Sequence, residues 1–177
     1  MCRVVKCRTG VVVESFRPGV ADQVSGVYTT AVRILAPPEA VFPYLVDPEL
    51  IVRWMGEWAE LDPTPGGKLA LDVTGIPLRG EFLVVEPPNR VVFTWGVVGS
   101  DGFRPGSTTV EIRLRPDGPD AAATVVELSH RDLPDDELEQ HSIGWGHFLA
   151  RLAVAATGSD PGPDPWAAPS GQADPAH

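Results

Sequence analysis

Histidines and large aromatics are the residues in this chain whose types suit chemistry or ligand contact. His130 ends a run in which Thr124, Val126, Leu128 and His130 share one parity. His141 falls on an apolar stripe at helical spacing, close to Trp145. Imidazole titrates near neutral pH, so either ring could give a proton or hold a polar ligand atom. Packing against backbone is the plainer alternative for both. His147 follows His141 by six residues, about 240° round a helix, so the two cannot chelate one ion. Trp54, Trp58, Phe82, Phe93, Trp95 and Trp145, with Leu149, are candidates for a cavity wall; core packing is again the alternative. Arg33 and Arg79 would serve a carboxylate ligand if they turned inward. Arg113 alternates with apolar residues and is expected to face solvent. Glu60 and Glu81 are lone strand carboxylates.

No reactive constellation accompanies these groups. The chain has no H-E-x-x-H, C-x-x-C, G-x-S-x-G, phosphate loop or G-x-G-x-x-G. Cys2 and Cys7 are its two cysteines, too few for a disulfide framework and in the wrong context for zinc. The reading is therefore no catalytic set, no metal and no cofactor.

The positioning elements follow from periodicity. Val27–Leu35 is rich in β-branched residues and reads as a strand. Two short helices are expected after it. One starts at Pro38-Glu39 and is kinked or ended by Pro43. The other runs over Pro48–Trp54, with Asp47 as N-cap. The period then changes to two. Strands are predicted over 57–62, 68–73, 78–86, 90–96, 107–115 and 122–130, with turn residues between them. Short connections between alternating strands mean an antiparallel meander. A long helix closes the order, from about Pro134 to Thr157, with Asp136 and Glu139 spaced as a capping box. Leu138, Trp145, Leu149, Leu152 and Ala156 make its apolar stripe, and Gly144 and Gly146 weaken it. Such glycines suggest a close backbone approach or room for a large neighbour. The predicted architecture is α+β, a curved antiparallel sheet gripping the long C-terminal helix.

Composition bounds the rest. The 177 residues carry 14 Lys+Arg against 24 Asp+Glu, a formal charge of −10. That acidity argues against nucleic acid, which asks for a basic stripe. No apolar run is long enough to span a membrane, and the N-terminus reads as no signal peptide, which favours the cytoplasm. One domain is expected over 27–157. Residues 1–26 read as an N-terminal extension, partly disordered, with Val11–Val13 as its one strand-like run. Residues 158–177 hold five Pro, three Gly and three Asp without Lys or Arg, and read as a disordered tail. Trp166 is the tail's one large apolar group and the anchor of any docking role it has.

Several runs together carry a resemblance. They are Ala36-Pro37-Pro38-Glu39-Ala40-Val41-Phe42, Pro48–Trp54, Pro65-Gly66-Gly67-Lys68, the V-E-P-P-x-R-V-V-F-T-W run ending at Trp95, and H-x-x-G-W-x-x-x-L-x-x-L from His141 to Leu152. With this element order, the chain resembles the START-like superfamily (SRPBCC, Bet v 1-like, helix-grip). Within it the chain is similar to the group of the activator of Hsp90 ATPase homologue C-terminal domain. The resemblance implies a ligand-sized cavity between sheet and helix. The superfamily spans co-chaperone domains, binders of lipids and aromatic compounds, and polyketide cyclase-like enzymes, so fold does not fix function. The leading expectation is a non-enzymatic domain holding a small hydrophobic or aromatic molecule. A cyclase or hydrolase using His130 or His141 is the second. A protein partner, such as a chaperone or a second copy of the chain, is the third.

Overall fold

The computed structural model describes residues 26–167. The strand-like run Val11–Val13 lies outside the described residues. Strand β1 (Val27–Ile34) leads into three four-residue helices, α1 (Pro38–Val41), α2 (Pro43–Val46) and α3 (Pro48–Ile51). Strands β2 (Trp58–Leu61), β3 (Lys68–Val73), β4 (Ile76–Glu86), β5 (Arg90–Trp95), β6 (Thr108–Asp117) and β7 (Ala123–Arg131) follow, and then helix α4 (Leu138–Ala155). The seven strands form one sheet in the order β1-β7-β6-β5-β4-β3-β2, every pair antiparallel. The chain is an α+β helix-grip fold.

Proline spacing sets the helical segment. Each short helix carries proline at its first position, where the missing N–H is harmless. The interruption expected at Pro43 is there, and it divides the segment up to Val46 into two short helices. Pro43 cannot donate, and Phe42, with helical φ and ψ, belongs to the end of one helix and the start of the next. Asp47 caps α3 as expected: its carboxylate accepts from the N–H groups of Glu49 at 2.8 Å and Leu50 at 3.2 Å. The α-helix ends at Ile51, short of the expected Trp54, and the chain continues in turns to Gly56. Gly56 has φ +86°, and a Cβ there would lie 2.6 Å from the carbonyl oxygen of Asp72.

The sheet's inner face is apolar by alternation. Val91, Phe93 and Trp95 of β5, Val110, Ile112 and Leu114 of β6, and Val126 and Leu128 of β7 are all buried. The β4–β5 register shifts between Phe82 and Val84, a bulge that bends the strand. Gly80 sits beside it, where a Cβ would clash with the backbone of Thr94. Only glycine lets the two strands approach so closely.

Helix α4 lays Trp145, Phe148, Leu149, Leu152 and Ala155 onto this core. One expectation about α4 is corrected and another narrowed. Asp136 does not cap it, because Asp135–Glu137 form a 3-10 turn and the N-cap residue, Glu137, has helical φ and ψ with no side-chain bond. An Asp cap needs extended backbone, which that turn denies. Of the two roles expected for Gly144 and Gly146, close backbone approach is excluded, since open space surrounds both Cβ positions.

Of the segment 158–177 read as a disordered tail, residues 168–177 lie outside the described residues. Residues 158–167 belong to the described chain and pack on α4. Asp164 meets His147 at 2.9 Å, and the Arg151 guanidinium donates to the carbonyl of Gly162 at 2.9 Å. A Pro- and Gly-rich segment makes few backbone bonds of its own, but it can be tied down by side chains of a neighbouring helix.

Candidate functional site

A cavity of about 840 Å³ opens between the sheet and the N-terminal half of α4. Trp95, Leu78 and Val97 line it from the sheet side, Phe103 from the β5–β6 loop, and His141, Ile143, Gly144, Trp145 and Phe148 from α4. Carboxylates Asp136, Glu137 and Glu139 stand at its edge, and Trp166 closes part of the rim. The open space beside Gly144 is thus cavity space.

Behind the wall lies a hydrogen-bonded chain with a fixed direction. The Trp145 indole N–H donates to Nδ1 of His130 at 3.1 Å. An indole only donates, so Nδ1 must be a bare acceptor. The proton of neutral His130 therefore sits on Nε2, which donates to Thr108 Oγ1 at 2.8 Å. The Thr108 hydroxyl donates onward to the carbonyl of Trp95 at 2.9 Å. His130 has no exposed surface. Burial, with His141 close by, pushes its pKa down to about 3. Neutral, buried and committed at both nitrogens, His130 is a structural link between β7, β6 and α4.

His141 differs. Its Nδ1 lies 2.9 Å from the carbonyl oxygen of Glu137, which can only accept, so Nδ1 carries a proton. Its Nε2 has no hydrogen-bond partner among the described residues. The ring stands edge-on to Phe103 and to His130, with centroids 5.0 and 5.1 Å away. His141 itself is among the residues that line the cavity.

Trp95 supplies the complementary group. Its indole N–H is buried without a hydrogen-bond partner. Leaving such a donor unmet costs about 1–3 kcal/mol, and because the nitrogen has almost no accessible surface, an acceptor reaches it only if neighbouring side chains shift.

Of the nine residues expected to line a cavity, Trp95, His141 and Trp145 do so. Trp54 is a core pin, its indole N–H donating to the carbonyl of Tyr44 at 2.9 Å. Trp58 is exposed on β2, beneath the guanidinium of Arg79. Phe82 and Phe93 pack edge to face in the core, and Leu149 is buried there too. The arginines do not turn inward: Arg33 pairs with Asp117, Arg79 with Asp72, and Glu60 with Lys68. Arg113 faces outward as expected and joins Arg90 on Glu111. Phe103, Phe148 and Trp166 were not anticipated as cavity walls. Phe103 sits in a loop without periodicity, held by its N–H to Ser100 Oγ and its carbonyl to the N–H of Val97.

Among the described residues no cluster could hold a metal ion, and no helix is long and apolar enough to cross a membrane.

Comparison with known proteins agrees with this architecture. The family described as "Activator of Hsp90 ATPase homolog 1-like protein" matches residues 35–157. No curated protein sequence matches the chain. Solved structures do. An AHSA1-like protein from Rhizobium etli is 41% identical, with 85% of this chain and 94% of that one covered and a TM-score of 0.63. CalU16 from Micromonospora echinospora is 31% identical over 77% of this chain and 69% of its own, with a TM-score of 0.64. DynU16, from the dynemicin biosynthetic locus, is 26% identical with a TM-score of 0.65; 77% of this chain is covered, but it spans only about half (49%) of DynU16. On its sequence match and its helix-grip architecture, the chain belongs to the activator of Hsp90 ATPase homolog 1-like family.

Proposed function

We propose that this protein binds a small, largely apolar molecule carrying a hydrogen-bond acceptor, in the cavity under α4. One observation carries the reading: a space of about 840 Å³, walled mostly by aromatic and aliphatic side chains, among them Trp95, whose indole N–H is buried and unpaired. Ligand sites are typically concave and apolar, with a few polar groups that fix orientation. His141 offers a polar contact, and the Trp95 N–H offers a donor once a small side-chain shift uncovers it. Asp136, Glu137 and Glu139 at the edge disfavour an anion, so the ligand is neutral or cationic.

The test uses 6-propionyl-2-dimethylaminonaphthalene (prodan), a neutral naphthalene with a ketone acceptor and polarity-sensitive emission. Saturable blue-shifted emission, weakened in Trp95→Phe and in Gly144→Leu, supports the reading. Absence of binding, or binding indifferent to both substitutions, contradicts it.

A second reading, an enzyme acting through a cavity histidine, narrows to His141, because both nitrogens of His130 are committed. Turnover of an aromatic substrate surviving in His141→Gln would remove it. The chaperone-linked reading rests on the family name. A pull-down in which no Hsp90-type ATPase is captured or stimulated would count against it.

A further inference from the structure

The family match ends at residue 157, yet the cavity includes a residue beyond it. We propose that the segment 158–167 is part of the ligand site, holding Trp166 as a specificity-determining wall that sets how long the ligand is retained. The proposal rests on the cavity being a ligand site.

The geometry is a latch on one face of α4. His147 and Arg151 are four residues apart, so they project side by side. His147 Nε2 lies 2.9 Å from Asp164 Oδ1, and Arg151 Nε lies 3.7 Å from Asp164 Oδ2. The Arg151 guanidinium also donates to the carbonyls of Gly162, Pro163 and Trp54 at 2.9, 3.4 and 3.3 Å. One arginine thus ties the segment to α4 and to the turn after α3. Asp164 Oδ1 accepts from the N–H of Trp166 at 2.9 Å, fixing the backbone where the indole departs. The indole then stacks on His147, centroids 3.8 Å apart and planes 17° from parallel, and meets Phe148 edge-on at 6.1 Å. Phe148 and Trp166 both line the cavity. Beyond these ring contacts Trp166 remains 42% exposed. A half-exposed tryptophan, held rigid at the rim of an apolar cavity, matches a flat aromatic ligand that would cover it. The partner chemistry is therefore a planar, neutral ring system rather than a flexible acyl chain.

The test compares the full-length chain with Trp166→Ala, Asp164→Asn and, as a control outside the cavity, Trp58→Ala. Equilibrium dialysis gives prodan affinity and stopped-flow emission gives its dissociation rate. The expected result is dissociation faster by about tenfold in Trp166→Ala, an intermediate change in Asp164→Asn, and none in Trp58→Ala. Thermal melts check that the variants fold. If the wild type binds prodan and Trp166→Ala retains it equally, the wall role is overturned and the cavity reading stands. Tighter binding in Trp166→Ala, the mark of a segment competing for the site, also overturns it. A wild type that binds no prodan removes the cavity reading, and this proposal with it.

Discussion

The indole N–H of Trp145 donates to Nδ1 of His130, and that bond decides the chemistry of both residues. It holds the imidazole in one tautomer, with Nε2–H on Thr108. It also fixes the Trp145 ring as cavity wall. The same two side chains join helix to sheet, with Trp145 in the cavity wall and His130 behind it.

Stability should depend on His130 in acid. Its folded pKa, about 3, lies below its ordinary value of 6.5, so the unfolded chain takes up the proton first. The contribution of neutral His130 is complete above pH 6.5 and falls by about 1.4 kcal/mol per pH unit below it, towards pH 3. Urea melts from pH 7 to 4 check this. His130→Gln starts from lower stability, and its profile is flatter over that range.

Glu111 adds a separate acid limb. Burial acts to raise its carboxyl, but hydrogen bonds from Arg90 and Arg113 outweigh that and hold it below the usual value of 4.5. Its contribution is present above pH 4.5 and is lost as pH falls through the lower folded value. Glu111→Gln should remove this limb and leave the one above pH 4.5 unchanged.

Two indole donors predict opposite outcomes on removal. Trp145→Phe leaves His130 Nδ1 buried and unpaired, at a cost of about 1–3 kcal/mol. Trp95→Phe removes an unmet donor, so the stability lost to the smaller ring is partly offset, while prodan affinity falls. Chemical denaturation and dye titration of both variants check the pair.

The α4 glycines separate fold from site. With open space at both Cβ positions, Gly144→Ala and Gly146→Ala should each stabilise the helix by about 1 kcal/mol. Gly144 faces the cavity and Gly146 does not line it, so Gly144→Leu should weaken prodan while Gly146→Ala leaves its affinity unchanged.

Local pattern makes the sheet legible, because alternation places Phe93 with Trp95 and His130 with Leu128. The α4 stripe and the Asp47 cap were readable in the same way. Parity does not say which stretch of a face meets the helix and which meets open space. Hence Phe82, Phe93 and Leu149 went to core while Trp95 and Trp145 went to cavity. Phe103 and Trp166 come from segments with no period at all. Their positions depend on a serine hydroxyl in one case and on Arg151 and His147 in the other.

The central claim is that the Trp95 N–H awaits a ligand acceptor. The most direct measurement follows the five indole N–H resonances of ¹⁵N-tryptophan-labelled protein as prodan is added. The account predicts that Trp95 moves downfield saturably and Trp166 shifts with it. Trp54, bonded to Tyr44, and Trp58, outside the cavity, should stay in place. A saturating ligand that leaves Trp95 unmoved, or that shifts Trp58 instead, would contradict it.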